Sequence, residues 1–357
     1  MKTFPLHFSR RFSVASVVLF SLLLHIWAMA RLGVDADEPT YLAVAHDYAT
    51  ALRGGDLNAL VDYPANREHP ALAKVLYGLS LLPLSPGASQ AQELFAARTV
   101  AVALGTIAVL LLALIDPLAG LLLALQTIFV KYTSLVYLEA LPLCAMLATV
   151  LALRRSVRER DVWFWLSAVM LGVMVAGKFA YYPIGVVLLY VAIWEKRFRW
   201  FSLLLYGVVA LSVFYLLNPF MWRDPFGWLA YAIDFHIHYS QGAHVQSSGY
   251  PWYQPVVWLT GTQLMAWHPE TFFYSLDGVI FVLAMLGLVG EWRQRRWVSI
   301  WVVSSLLVLL WWPTKWPHYT LVLVPALCLS ASTALTMLAR WTLRRLNMML
   351  HSPSGSV

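Results

Sequence analysis

The run SVASVVLFSLLLHIWAMA at Ser13–Ala30, followed directly by RLGVDADEPTY at Arg31–Tyr41, decides the fold. A helix that crosses a bilayer needs about 20 predominantly apolar residues, with a range of about 17–25, and Ser13–Ala30 meets that requirement. No small-residue cleavage site follows it, so it reads as a retained span and not a signal peptide. Three carboxylates, Asp35, Asp37 and Glu38, then fall within four residues at its end. Like charges crowded beside a low-dielectric wall raise one another's pKa, an environment suited to a general base or a metal ligand. A solvated acidic loop is the plainer alternative.

The rest of the chain repeats the first half of this pattern. Of its 357 residues 60% are hydrophobic and 12% charged, and the mean hydropathy is +0.67. A soluble domain carries about 25% charged residues and has too little interior to hide so much apolar surface. Soluble enzymes, nucleic-acid binders and disordered proteins are excluded, and the net charge of +7 reads as cytoplasmic loop charge. Cys144 and Cys328 lie in apolar runs and form neither a disulfide framework nor a Cys-based zinc site. The expected fold class is all-α, a polytopic membrane protein with about ten transmembrane helices. The spans are Ser13–Ala30, Arg98–Ile115, Pro117–Val130, Leu135–Leu153, Val162–Gly177, Phe179–Trp194, Phe201–Leu217, Phe273–Gly290, Trp297–Trp312 and Tyr319–Ala339.

Basic clusters mark the cytoplasmic side. They are Arg10-Arg11, then Arg154, Arg155, Arg158 and Arg160, then Lys196, Arg197 and Arg199, then Arg293, Arg295 and Arg296, then Arg340, Arg344 and Arg345. Val162–Trp194 lies between two such clusters and would be about 50 Å long as one helix. Two crossings with a turn at Lys178–Pro183 keep both basic ends inside and put Lys178 at the outer face. The same reasoning gives three spans in Arg98–Leu153, with an inner turn at Asp116-Pro117 and an outer turn near Lys131–Glu139. Both termini are then cytoplasmic. Of the 18 acids only Asp116, Glu159, Asp161, Glu195 and Glu291 fall inside. Acid placement does not follow the topology rule, so an acid-rich outer face points to chemistry.

Two outer segments exceed simple connectors, residues 31–97 and 218–272, and loops this long are usually functional. In the first, Tyr41, Val44, Ala45, Tyr48 and Leu52 recur at helical spacing across Pro39–Leu52, closed by Gly54-Gly55. His69–Leu82 is apolar apart from Lys74. Both predict helices lying in the membrane interface. The second loop is rich in Trp, Tyr and His. Residues 1–357 read as one membrane domain, with no soluble C-terminal domain after the last span.

Several outer residues are candidates for chemistry. Glu68 and His69, in Arg67-Glu68-His69-Pro70, are metal ligands or a helix cap. Glu139 lies between two apolar runs, where an acid is a functional candidate by default or else a loop acid above the bilayer. Lys178 is the lone charge between Val162 and Trp194, a snorkelling lysine or a cation facing an anionic substrate. Lys315 and His318, in the stretch Trp311–Tyr319, are candidate hydrogen-bond donors to a phosphate, and Arg223 is a further outer cation. His236, His238, His244 and His268 share the second loop without a zinc-binding spacing. No P-loop, Rossmann or GxSxG signature is present, so the outer site needs no nucleotide or redox cofactor.

Asp37-Glu38-Pro39-Thr40-Tyr41, followed by Glu68-His69-Pro70-Ala71-Leu72-Ala73-Lys74, resembles the GT-C superfamily of integral-membrane glycosyltransferases. The likeness is greatest to its protein O-mannosyltransferase and aminoarabinose-transferase branch. An Arg at the opening of the second span (Arg98), Gly177-Lys178, and Lys315-Trp316-Pro317-His318-Tyr319 before the last span extend it over the membrane core. Ala71 stands where a second Pro is usual, and Glu139 where an Asp is. The resemblance implies a polyprenyl-phosphate sugar donor, used on the extracytoplasmic side of a bacterial cytoplasmic membrane. The acceptor would be a protein, lipid or glycan, and nucleic acid is no partner. It implies Asp37 as catalytic base with Glu38 beside it. Glu139, Lys178, Lys315, His318, Tyr319, Arg223 and His69 would bind substrate, and Glu68 is the candidate ligand for a divalent metal that is not required. Asp37 would deprotonate an acceptor hydroxyl, and inversion would follow as the lipid phosphate leaves. The alternative is a transporter or flippase of an anionic glycolipid; a non-catalytic assembly scaffold would not need the carboxylates beside cations.

Overall fold

The computed structural model describes residues 10–351, with side chains for residues 13–348, and among these the regular structure is helical with no strand. Lys2 lies outside the described residues, and Arg10 and Arg11 are described by backbone alone. The first helix, α1 (Arg10–Arg31), hands the chain to the long loop 31–97. That loop folds as α2 (Glu38–Arg53), a short α3 (Leu57–Val61) and α4 (Leu72–Leu81). Of the apolar stripe expected in α2, Tyr41, Val44, Ala45 and Tyr48 are buried and Leu52 is half-buried, with Leu42 and Ala49 buried beside them. Pro39 stands in its first turn, where a missing N–H costs nothing. Past its end Gly55 takes φ +68°, a conformation open to glycine. Both helices expected in this loop are therefore present, and α3 is an addition.

The next helix, α5 (Gln90–Ile115), begins eight residues before the expected span. Ser89 and Gln92 form a reciprocal capping box there, which satisfies two otherwise orphaned N–H groups. The expected third span is broken into α6 (Pro117–Ala124) and α7 (Thr127–Tyr132). Asp116 Oδ1 caps α6 by accepting from Leu118 N and Ala119 N. The cap of α7 comes from far away, since Asp277 Oδ1 accepts from Thr127 N at 2.9 Å. Then come α8 (Ala140–Arg155), preceded by the fully buried non-helical stretch 133–139, and α9 (Val162–Gly177). The pair of crossings expected about Lys178 is seen as α9 and a return through a 3-10 turn at Phe179–Tyr181, α10 (Ile184–Tyr190) and a π-turn at Val191–Glu195. After α11 (Trp200–Leu216) the second loop folds as α12 (Pro225–Gln241), α13 (Ala243–Ser248), α14 (Gln254–Thr260) and α15 (Gln263–Trp267). Last are α16 (Asp277–Gln294), α17 (Arg296–Trp311) and α18 (Val324–His351), which runs on past the expected end at Ala339.

By length and composition two helices suffice alone to cross a membrane, Ser13–Arg31 and Gln90–Ile115, with mean hydropathies of 2.0 and 2.3. Val162–Gly177, Phe179–Glu195, Trp200–Leu216 and Arg296–Trp311 are apolar but shorter. Close packing of small residues binds these helices, as it does where no hydrophobic drive separates helix from lipid. A Cβ on Gly287 would lie 1.9 Å from the Ser330 carbonyl oxygen, so α16 and α18 touch backbone to backbone. A Cβ on Gly172 would lie 2.5 Å from the Ala210 carbonyl oxygen, which sets the same close approach between α9 and α11.

Charge separates along the bundle as the sequence reading expects. At one end Arg154 pairs with Glu195, Arg199 N bonds Glu159, and Arg295 reaches Glu291 and, at 3.6 Å, Asp116. At the other end lie Asp35, Asp37, Lys131, Glu139 and Lys178, beside the loop 31–97. A buried ion pair helps fasten that loop to the bundle. Arg98 Nε and Nη2 bind Glu38 Oε1 and Oε2 at 2.9 and 2.6 Å. The remaining guanidinium hydrogens go to the carbonyls of Met29, Leu32 and Gly33 at 2.8–2.9 Å. Glu38 Oε1 also accepts from Val136 N at 2.7 Å.

Removing one partner of such a pair strands a buried charge, at about 3–5 kcal/mol. Arg98→Met is therefore expected to lower the thermal midpoint of the purified protein far more than the double variant Arg98→Met/Glu38→Gln. Circular dichroism melts in detergent check this. A single variant as stable as the double would show that the pair is not what holds the loop.

Candidate active site

The site is a cavity of about 490 Å³ where the loop 31–97, the end of α9, α7 and the turn before α18 meet. Its first wall is the carboxylate loop. With Glu38 bound to Arg98, Asp37 occupies the N-cap position of α2 yet makes no capping bond, and it faces the cavity instead. Burial pushes its carboxyl above the ordinary value; Lys178 opposes that push and Asp35 adds to it. Asp35 goes the other way. Burial alone would raise it, but the ammonium of Lys131, 2.6 Å away, holds it below the usual carboxylate value. Two neighbouring acids are thus driven apart by environment, one toward proton uptake and one toward permanent charge.

Lys178 follows α9 in extended backbone, φ −165°. It lines the cavity, pairs with Glu139 behind it, and lies 5.3 Å from the Tyr319 ring centre. His318 Nε2 is 3.7 Å from the same Glu139 oxygen, and its ring packs edge-on against Tyr132 and Tyr319. A Cβ on Gly177 would be 3.0 Å from Pro142 Cδ, so glycine lets α9 end against α8 and bring Lys178 over Glu139.

The next wall is residues 66–70. Lys74 Nζ donates to the Asn66 and His69 carbonyls at 2.5 and 3.0 Å, and Trp228 Nε1 donates to the Arg67 carbonyl at 2.9 Å. Ala71 N donates to Asn218 Oδ1 at 3.2 Å. Asn66 adopts φ 52°, a left-handed conformation that Asn tolerates, and its Nδ2 donates to Glu68 Oε1 at 2.9 Å. Burial drives the Lys74 ammonium down to about 7, so this lysine is a fastener and not an exposed cation. Glu68 and His69 line the cavity, and the His69 ring lies 5.4 Å from that of His236. Burial lowers the pKa of His69 and His236, with Lys178 adding to it in both, and that of His268, with Lys131 adding to it there.

Of the residues expected from sequence, Asp37, Glu68, His69, Lys178, His318 and Tyr319 meet at this cavity, with Glu139 just beneath Lys178. Besides Glu139, three others do not line it. Glu38 is consumed by Arg98 and Val136 N. Lys315 Nζ donates to the carbonyls of Leu309 and Leu310 at 2.8 Å, closing the end of α17 where a cation belongs. Arg223 binds exposed Asp62 and Asn58 at 2.7–2.8 Å, beside a separate cleft. The sequence reading missed Lys131, Tyr132, Tyr137, Asn66 and Trp267. A signal for Lys131 was available, because it too is a solitary cation between apolar runs. Among the described residues no three His, Cys, Asp or Glu are grouped to hold a metal ion.

A second cavity, about 440 Å³ and apolar, adjoins the first. It is lined by Phe179, Leu229, Ile233, Ile237, Trp311 and Trp312, and His236 belongs to both.

No protein-family model matches the sequence, and no curated protein matches it. Among solved structures the chain is similar to the crystal structure of ArnT from Cupriavidus metallidurans in the apo state, with TM-score 0.63 and 16% identity. It is similar also to that of the same protein bound to undecaprenyl phosphate, with TM-score 0.62 and 16% identity. Each alignment covers 94% of this chain and 63% of the other, so the chain spans somewhat under two thirds of their length. At this identity the likeness is one of fold, and the fold is the all-helical polytopic membrane architecture seen in ArnT.

Proposed function

We propose that this protein transfers a sugar from a polyprenyl-phosphate donor to an acceptor at the outer face of a bacterial cytoplasmic membrane. The observation that carries the reading is the joining of a charged cavity to an apolar groove at His236. A lipid-linked sugar has that same division, a polar head on an apolar chain. The fold shared with a protein crystallised with undecaprenyl phosphate supports it. In this reading the chain crosses the membrane about ten times, the basic end of the bundle faces the cytoplasm, and the acceptor is a protein, lipid or glycan.

The chemistry follows from the residues. The lipid phosphate sits against Lys178 and His318, with the prenyl chain in the apolar groove. Asp37 takes the proton of an acceptor hydroxyl as that oxygen bonds to the anomeric carbon. The bond from the anomeric carbon to the phosphate oxygen breaks, and polyprenyl phosphate leaves with the electron pair. Attack opposite the leaving group inverts the anomeric centre. Charge gathering on the phosphate is met by a preorganised cation, whose stabilisation grows as bound substrate displaces water from the cavity. No nucleotide or redox cofactor enters, and no step is assigned to a metal.

Asp37→Asn keeps the shape of the side chain but cannot accept the proton, and general-base catalysis is worth about 10²–10⁴-fold. That loss is expected in transfer from an undecaprenyl-phosphate sugar, with donor binding retained. The wild-type rate should fall as pH drops through the raised pKa of Asp37, so its acid limb lies above that of an ordinary aspartate. Wild-type turnover by Asp37→Asn would remove the base assignment.

Lys178 tests the phosphate site. A charged contact of about 1.5–3 kcal/mol corresponds to about a 10- to 100-fold change in affinity. Lys178→Ala/Glu139→Gln removes both members of the buried pair, so no charge is stranded. It should bind undecaprenyl phosphate that much more weakly, while Lys178→Arg recovers part of the loss. Native mass spectrometry in nanodiscs measures it, and equal binding by all three proteins would make Lys178 structural only.

A further inference from the structure

Asp37 feels two lysines across the cavity, Lys178 and Lys131, and the two are built differently. Lys178 faces the cavity alone. Its partner Glu139 is 1% exposed and lies behind it, off the cavity wall. Lys131 faces the cavity with its partner, for Asp35 and Lys131 both line the wall with Oδ2 and Nζ 2.6 Å apart. The ammonium also lies 4.9 Å from the Tyr132 ring centre and 5.5 Å from that of Trp267.

A cation at the wall with its carboxylate behind it turns only its positive end to the cavity, which suits a phosphate. An ion pair with both members at the wall offers a donor and an acceptor side by side with almost no net charge. Adjacent hydroxyls of a carbohydrate ring match that arrangement. The ammonium donates to one hydroxyl oxygen, the carboxylate accepts from the next hydroxyl, and aromatic surface beside them meets the C–H face of the ring.

The pair is also held rigid from a distance. Lys131 rides on α7, whose first N–H and hydroxyl, both of Thr127, are bound by Asp277 at the start of α16. Just past the end of α7, Thr133 Oγ1 is bound to His25 Nε2 of α1 at 2.8 Å. His25 is in turn fixed by the Ser21 carbonyl at 2.7 Å. Two helices remote in sequence, α16 and α1, thus set a six-residue helix that carries one functional cation, as preorganised recognition requires.

We propose that the Asp35–Lys131 pair, with Tyr132 and Trp267, is a subsite for the hydroxyls of a carbohydrate ring, separate from the phosphate site at Lys178. It rests on the sugar-transfer reading above. The ring is either the sugar of the donor or a sugar of the acceptor, and one set of measurements tells them apart.

The variant is Asp35→Asn/Lys131→Met, which removes both charges and leaves none uncompensated; Lys131→Arg is the conservative partner. The probes are undecaprenyl phosphate without a sugar, and undecaprenyl-phosphate hexoses and pentoses, bound to protein in nanodiscs and read by native mass spectrometry. Hydrolysis of the donor without added acceptor, and transfer to acceptors in membrane vesicles, are measured alongside. If the ring is the donor's, the double variant binds the glycoside at least about tenfold more weakly and undecaprenyl phosphate as wild type does. If it is the acceptor's, both affinities and hydrolysis hold while transfer falls by about that factor. In either case Lys131→Arg recovers part of the loss.

Weakened binding of undecaprenyl phosphate itself, to the extent seen for glycoside, overturns the proposal and makes Lys131 a second phosphate cation. Wild-type values in all four measurements overturn it too and leave the pair as a clasp between α7 and the loop. A wild-type protein that binds neither probe overturns the sugar-transfer reading, and this subsite with it.

Discussion

The bidentate contact of Arg98 with Glu38 is the constraint on which the site depends. Arg98 stands on α5 and Glu38 opens α2, and between them they take in three carbonyls from the end of α1 and the N–H of Val136 before α8. Four segments are thereby locked at one point. Each charge alone would be prohibitive in that place, since an unpaired ion loses its hydration without return. Together they satisfy every donor of the guanidinium. The consequence reaches Asp37. One residue from Glu38, it stands at the N-cap of α2 in helical backbone, makes no capping bond, and lines the cavity.

The same device recurs around the cavity, in which a polar group of one helix completes the backbone of another. Asp277 caps α7, Lys315 closes α17, Lys74 draws residues 66–69 together, and Asn218 receives Ala71 N. In a soluble protein water would meet many of these ends. Beside lipid it cannot, so irregular backbone persists only where protein groups satisfy it. The cost is that several conspicuous polar residues serve the scaffold, and only some serve the substrate.

That division explains what the sequence disclosed and what it hid. The helices α2 and α4 were legible because an apolar stripe at helical spacing is a local pattern, and Gly54-Gly55 supplied a local stop. The pair of segments around Lys178 was legible because basic clusters fix which ends lie together. The break between α6 and α7 was hidden, since the apolar run is continuous from Leu118 to Leu125 and the cap that makes α7 possible is 150 residues away. Glu38 and Lys315 were visible as charges near the site, but their partners are a distant arginine and a helix's own last carbonyls. Arg223 shares the loops of the site yet pairs with Asp62 outside the cavity. A position in sequence tells that a charge is near one end of the bundle. It does not tell which other charge will have claimed it.

Asp35, Asp37 and Glu38 show how much follows from that claiming. They begin as equivalent carboxylates within four residues, and nothing in their order ranks them. Arg98 takes Glu38 and buries it, Lys131 takes Asp35 and keeps it ionised, and Asp37 is left with burial outweighing attraction. A base must be free enough to accept a proton and basic enough to want one. Among the three, Asp37 alone is without an arginine or lysine bound to it, and it is the one whose affinity for a proton the fold has raised. The cations that pair with its neighbours therefore do two things at once: they tie the acidic loop to the bundle, and they leave one carboxylate unpaired at the cavity wall.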